Sequence, residues 1–222
     1  MTLRHGHKII SWNLLHWSGA TLEQVKGLIS QYNPDLLLMQ EATALIDPLP
    51  FEIGGNYVRN TLPDRSHGLA AWSPKPFYAP AYTLSLQPGL IIRRISQIID
   101  MGDYVVANVH LSHGQVLNRR QLRRLAKTLP HTAVIMGDCN LLGPSLLKDF
   151  SDVGPRQTTH YLETVESFRL DRCFIRGLSC ESAEVLDRGN SDHRPIIVQL
   201  SSALVDRHFH MAEGDRHLAK VQ

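Results

Sequence analysis

Excess charge of one sign is what this 222-residue chain most lacks: 23 basic against 21 acidic side chains leave a formal net charge of +2. A dedicated nucleic-acid binder shows a stronger basic excess on one face, so bulk charge names no partner. Cysteine is scarce as well. Cys139, Cys173 and Cys180 are odd in number and lack paired spacing, which argues against a disulfide framework or a zinc cage and fits a reducing compartment. No apolar run approaches the roughly 18 residues that cross a bilayer. Met1–His7 is short and polar, without the apolar stretch and small-residue cleavage site of a signal peptide. The expectation is a cytoplasmic protein with no membrane insertion. Repeats and low-complexity linkers are also missing, so residues 1–200 read as one domain. A tail, 201–222, carries His208, His210 and His217 beyond the last strand signal.

What is present suits a packed core: 43% hydrophobic and 20% charged residues. Residues 8–13 read as a strand. Residues 21–32 read as a helix because Leu22, Val25, Leu28, Ile29 and Tyr32 share one face. Thr21 and Gln24 have capping-box spacing at its start, and Asn33–Pro34 stops it. The continuous apolar run 35–39 predicts a buried strand. Segments 56–61, 67–73, 90–99 and 103–110 follow as strands between Pro and Gly punctuation. A second helix spans 114–129, with strands at 132–136, 171–176, 181–186 and 195–200. Runs of strands with one helix after the first and another near the middle predict two packed sheets with helices outside.

Several apolar runs end in a small polar or acidic group. Asn13 follows IISW, Glu41 follows LLLMQ, His110 follows VVANV, Asp138 and Asn140 follow AVIMG, and Asp192–His193 stand just before PIIVQL. Strands end at the rims of sheets, where side chains from several strands can converge on one cleft. The residue types suit metal-assisted phosphate chemistry. Mg²⁺ and Mn²⁺ take oxygen ligands, with one or two carboxylates anchoring Mg²⁺. A cation over a phosphoryl oxygen offsets the charge that repels a nucleophile, and an attacking water needs a positioned base.

The segments SWN (11–13), PDLLLMQE (34–41), HGLAAWSP (67–74), ANVHLS (107–112), GDCN (137–140), LDRCF (170–174) and SDHRP (191–195) together resemble the endonuclease/exonuclease/phosphatase superfamily, in family order across residues 8–200. Its members include deoxyribonucleases, abasic-site endonucleases, neutral sphingomyelinases and inositol polyphosphate 5-phosphatases. The resemblance implies a four-layer α-β-β-α sandwich of two mixed sheets, deoxyribonuclease I-like. It implies a Mg²⁺- or Mn²⁺-dependent hydrolase that cleaves phosphate esters, phosphodiesters above all, with an activated water. By position, Asn13, Glu41 and Asp192 are its metal-site residues. Asp138 orients or deprotonates the water, with Asn140 assisting. His193 contacts the phosphate, Asp171 holds its ring, and His110 is the second histidine. Which of His110, Asp138 and His193 is acid and which is base stays open. The sequence departs from the family at Cys139, at Arg172–Cys173 and in the short separation of Asp138 from Asp192, so loops that bear substrate contacts in relatives are trimmed.

Other readings compete. A catalytically inactive relative serving as a binding or scaffold module would be expected to lose these groups, and all are kept. Asp171 could pair with Arg172 or Arg194 instead of a histidine. Arg119, Arg120, Arg123, Arg124 and Lys127 fall opposite Leu122, Leu125, Ala126 and Leu129, the pattern of an amphipathic helix with a solvated face rather than a nucleic-acid surface. Trp17 and Trp72 are read as packing residues before base-stacking ones, and His67 is within sequence reach of the phosphate. The substrate stays open among DNA, RNA, lipid, inositol phosphate and nucleotide, and no motif speaks to oligomeric state.

Overall fold

A computed structural model describes residues 6–89, 92–162 and 165–202. The first sheet contains β1 (His7–Asn13), β2 (Leu36–Ala42), β3 (Asn56–Thr61), β4 (Gly68–Ser73), β13 (Leu178–Val185) and β14 (Ile196–Ser202), in the order β13-β14-β1-β2-β4-β3. The second contains β5 (Tyr82–Ser85), β6 (Ile95–Asp100), β7 (Val105–His110), β8 (Ala133–Asp138), β9 (Ser151–Asp152) and β12 (Asp171–Arg176), in the order β5-β6-β7-β8-β12-β9. Both sheets are mixed, through the parallel pairs β1–β2 and β7–β8. A small ribbon, β10 (His160–Leu162) with β11 (Val165–Phe168), stands apart.

Alternation along the strands builds four layers. In β2, Leu36 and Leu38 join Ile9, Val106, Val134, Met136 and Cys173 in the core between the sheets. The opposite face, Leu37 and Met39, packs with Ile10, Trp12 and Trp72 against Val25, Leu28 and Ile29 of α1 (Leu22–Tyr32). On the second sheet, Ala107, Val109, Ala133 and Ile135 meet Leu122, Leu125, Ala126 and Leu129 at α3 (Gln115–Thr128). A strand buried on both faces has no polar alternation, which is why β2 and β8 read as continuous apolar runs. The expected sandwich is the one observed.

Local expectations hold with informative exceptions. The Thr21 hydroxyl accepts the Gln24 amide at 3.3 Å while Gln24 Oε1 accepts the Thr21 amide at 3.1 Å, a complete capping box. Asn33 ends α1 in the left-handed region, φ 46. The strand expected over 90–99 is β6, Ile95–Asp100, and residues 90–91 lie outside those described. Short elements carried no usable period and went unpredicted: α2 (Leu49–Ile53), β5, β9, β10 and β11. The tail histidines fall outside the described residues; β14 runs to Ser202. Arg119 is no mere solvated charge, since its guanidinium caps the carbonyls of Leu142 and Pro144.

Candidate active site

Strand register assembles half of the site. In the row β7–β8–β12, His110 is paired with Asp138, and Asp138 with Asp171. Neighbouring strands lie about 5 Å apart, so three residues far apart in sequence stand in a line at one rim. His110 Nε2 lies 3.2 Å from Asp138 Oδ2. Gly137, with φ 143, is required at the approach to Asp138, because a Cβ there would meet the Val109 carbonyl oxygen at 2.1 Å.

The other half comes from the first sheet. Asn13, at the end of β1, donates from Nδ2 to Asp138 Oδ2 at 3.0 Å across the sandwich, and its Oδ1 accepts the Leu15 amide at 3.1 Å. The Ser191 hydroxyl donates to the Asn13 carbonyl at 2.6 Å and accepts the His193 amide at 3.0 Å. Trp12 Nε1 donates to the His193 carbonyl at 3.0 Å. Thus β1 fixes the backbone that carries His193. The ring of His193 donates from Nδ1 to Asp171 Oδ2 at 2.8 Å, and its Nε2 lies 3.8 Å from Asp138 Oδ2. Asp171 therefore pairs with the histidine, while Arg172 binds Asp152 at 2.9 Å.

Asn140 closes an Asx turn: its amide donates to Asp138 Oδ1 at 3.0 Å, with φ 47 at Asn140 itself. Its carbonyl accepts from Asn118 Nδ2 at 2.7 Å and Gln115 Nε2 at 2.9 Å, tying the turn to α3. Glu41 sits at a bulge between Gln40 and Ala42 and has φ 57, unusual for a residue with a side chain. Its carboxylate accepts from the His16 backbone amide at 3.2 Å and, more closely, from His16 Nδ1. Asp192 lies 3.8 Å from His160 Nε2, and its Oδ1 is buried without a partner among the described residues. A single cleft of about 330 Å³ is lined by Asn13, Glu41, His110, Asp138, Asn140, Asp192 and His193; Asp171 stands behind His193.

Burial and charge separate the titrating groups. Burial opposes protonation of His193, but the carboxylates of Asp171 and Asp138 outweigh it and push its pKa up to about 10. Burial drives His110 the other way, well below the ordinary histidine value, helped by Arg94 and His193. Asp138 is raised by burial, only partly opposed by His193. Burial would raise Glu41 too, but the hydrogen bonds from His16 prevail and hold it below the usual range. The cleft thus pairs an imidazolium with a neutral imidazole across one carboxylate.

The sequence pattern of the Endonuclease/Exonuclease/phosphatase family matches residues 10–193. The chain belongs to this family. It is accordingly a hydrolase of the phosphodiesterase or nuclease type. Solved structures with the same fold include family proteins from Bacteroides vulgatus (TM-score 0.75, 15% identity, 90% of this chain and 100% of that one) and Bacteroides thetaiotaomicron (0.75, 16%, 91% and 100%). TDP2 from D. rerio, complexed with a single-strand DNA product, superposes with a TM-score of 0.72 at 14% identity, covering 89% of this chain and 100% of that one. No curated protein matches the chain.

The family generally depends on a divalent metal. Asn13, Glu41 and Asp192 offer hard oxygens in one cleft, and Asp192 Oδ1 is a buried acceptor without a hydrogen-bond partner among the described residues. Their chemistry fits Mg²⁺ or Mn²⁺. Among the described residues, two groups bring three ligand atoms within 4.8 Å of one another: His160–Asp192–His193 and Asp138–Asp171–His193.

Sequence reasoning missed His160, whose ring meets that of His193 edge-on with centroids 4.7 Å apart. It stands on a short ribbon with no periodic signal. The buried amides Gln40, Asn108 and Gln97, linked at 2.7 and 3.1 Å between the sheets, went unnoticed for a similar reason: only the packed sandwich makes them neighbours. His67 lies buried under His16, ring centroids 3.9 Å apart, and Trp72 packs in the core while Trp17 is exposed.

Proposed function

We propose that this protein is a divalent-metal-dependent phosphodiesterase that attacks the phosphorus with a water activated in the cleft. The observation that carries the reading is the placement of Asp138. It is buried, accepts from Asn13 and the Asn140 amide, and lies within 3.2 Å of His110. Its raised pKa makes it a stronger base than an ordinary carboxylate, suiting it to take a proton from the attacking water. His110, which burial keeps neutral, packs its Nε2 3.2 Å from Asp138 Oδ2. His193, held as an imidazolium by Asp171, turns Nε2 into the cleft as a charged donor for a phosphoryl oxygen. Asn13, Glu41 and Asp192 would hold the ion, which when bound supplies Lewis-acid stabilisation of charge on the phosphoryl group. Substrates are phosphodiesters, nucleic-acid strands among them; the DNA product held by TDP2 supports including them.

The deciding assay uses bis-p-nitrophenyl phosphate with Mg²⁺ or Mn²⁺, with and without EDTA. Turnover restored by metal and abolished by EDTA is expected. Absence of metal-dependent turnover here and on a panel of DNA, RNA, lipid, inositol phosphate and nucleotide esters would establish the scaffold reading instead. Glu41→Gln removes the anionic charge from one proposed ligand, so half-activation should need about tenfold more Mg²⁺ or beyond. An unchanged Mg²⁺ titration would take Glu41 out of the metal site.

A further inference from the structure

Arg94 is a buried cation that the chemistry above does not use. It is 4% exposed, its Nε has no hydrogen-bond partner, and it forms no ion pair among the described residues. A guanidinium stays charged in proteins, and a largely buried one whose Nε lacks a protein partner is stabilised by an anion that meets it. Arg94 lines a pocket of about 520 Å³ together with Ser112 and the first turn of α3, Gly114 to Leu117. Gly114 supplies no side chain to cap that 14-residue helix, so the amides of its first turn remain available to a ligand. A helix N-terminus favours negative charge, and phosphate is a common occupant. His113 and Gln115 line both this pocket and the catalytic cleft, so the two adjoin.

We propose that this pocket is a phosphate subsite in which Arg94 and the first turn of α3 hold a second phosphate of the substrate, beside the one cleaved. The first half of the proposal, that phosphate binds here, is independent of the reaction; the second rests on the phosphodiesterase reading. Burial disfavours the charged form of Arg94, with Asp138 and Glu41 opposing, which places the guanidinium within electrostatic reach of the catalytic carboxylates. Ile92, Val116 and Leu117 line the pocket beside it, and their apolar surface lowers the local dielectric around an anion held there. A guanidinium that only balanced those carboxylates would leave phosphate affinity untouched.

The full-length, metal-free protein is titrated with inorganic phosphate by calorimetry. Arg94→Gln should weaken binding about ten- to a hundredfold, and Arg94→Lys less, as for loss of a charge-assisted hydrogen bond. Val116→Asp, at a position 63% exposed, tests the same pocket without touching the buried arginine: its carboxylate competes at the helix terminus and should also weaken phosphate binding. His193→Ala should leave this binding in place. Unaltered affinity in both pocket variants, or abolition by His193→Ala, overturns the subsite. Among substrates, the loss of kcat/KM in Arg94→Gln should be greater on esters with two phosphates than on bis-p-nitrophenyl phosphate. A greater loss on a 5′-phosphorylated dinucleotide assigns the second phosphate to a nucleic-acid strand, and on a nucleoside diphosphate ester to a diphosphate. Equal losses on all three overturn the substrate assignment, while phosphate binding without turnover on any ester removes the phosphodiesterase reading alone.

Discussion

Asp138→Asn should lower turnover on bis-p-nitrophenyl phosphate by about 10²–10⁴-fold, the range contributed by a positioned base. The substitution keeps the shape and removes the carboxylate that faces Asn13 and His110 in the buried centre of the site. An amide there keeps one oxygen, which in the place of Oδ1 still accepts from the Asn140 backbone, so the turn through residues 138–140 should persist while the bond from Asn13 is lost. His193→Ala should cost a similar factor by removing the charged donor, with Trp12 and Ser191 still pinning the backbone it came from. The measurement is steady-state kinetics alongside thermal melting. Near wild-type rates in either folded variant would refute the roles given to these two residues.

The second large effect is on pH dependence. In Asp171→Asn the partner of His193 Nδ1 loses its charge, and the pKa of about 10 should fall towards the ordinary histidine value. The alkaline limb of the rate profile should therefore move down by at least about one pH unit, each unit being about 1.4 kcal/mol of differential interaction. Stability carries the same sign. A histidine whose folded pKa is raised contributes stability fully present below its unfolded value, near 6.5, and lost as pH climbs through the folded value, near 10. Wild type should lose stability across that window, and Asp171→Asn should show less of this loss and lower stability at neutral pH. A purely structural Asp171 would shift the melting temperature and leave the position of the kinetic limb unchanged.

His110 competes with Asp138 for the base role. His110 touches Asp138 at 3.2 Å and, neutral at pH 7, could itself accept a proton. If His110 were the base, Asp138→Asn would weaken turnover only through orientation, and the rate loss would sit at the low end of the range or below it. The size of the loss thus distinguishes a carboxylate that takes the proton from one that aims the ring.

Much of this protein was determined by its sequence alone. Apolar runs flanking both faces dictated buried strands β2 and β8, and the 3.6-residue spacing with its capping box dictated α1. The polar residues that close those runs marked the rim of the sheets, and their motifs named the family. Tertiary structure decided the rest, because the relevant contacts join residues with no sequence relation. The parallel register of β7 on β8 set His110 against Asp138, and the antiparallel register of β12 set Asp171 beside them. A bulge re-aimed Glu41 towards His16, the ribbon brought His160 to His193, and burial without a partner singled out Arg94. Periodicity reports which face of an element is apolar; it says nothing about which charged groups are dehydrated together, and that dehydration separates the protonation states of His110 and His193.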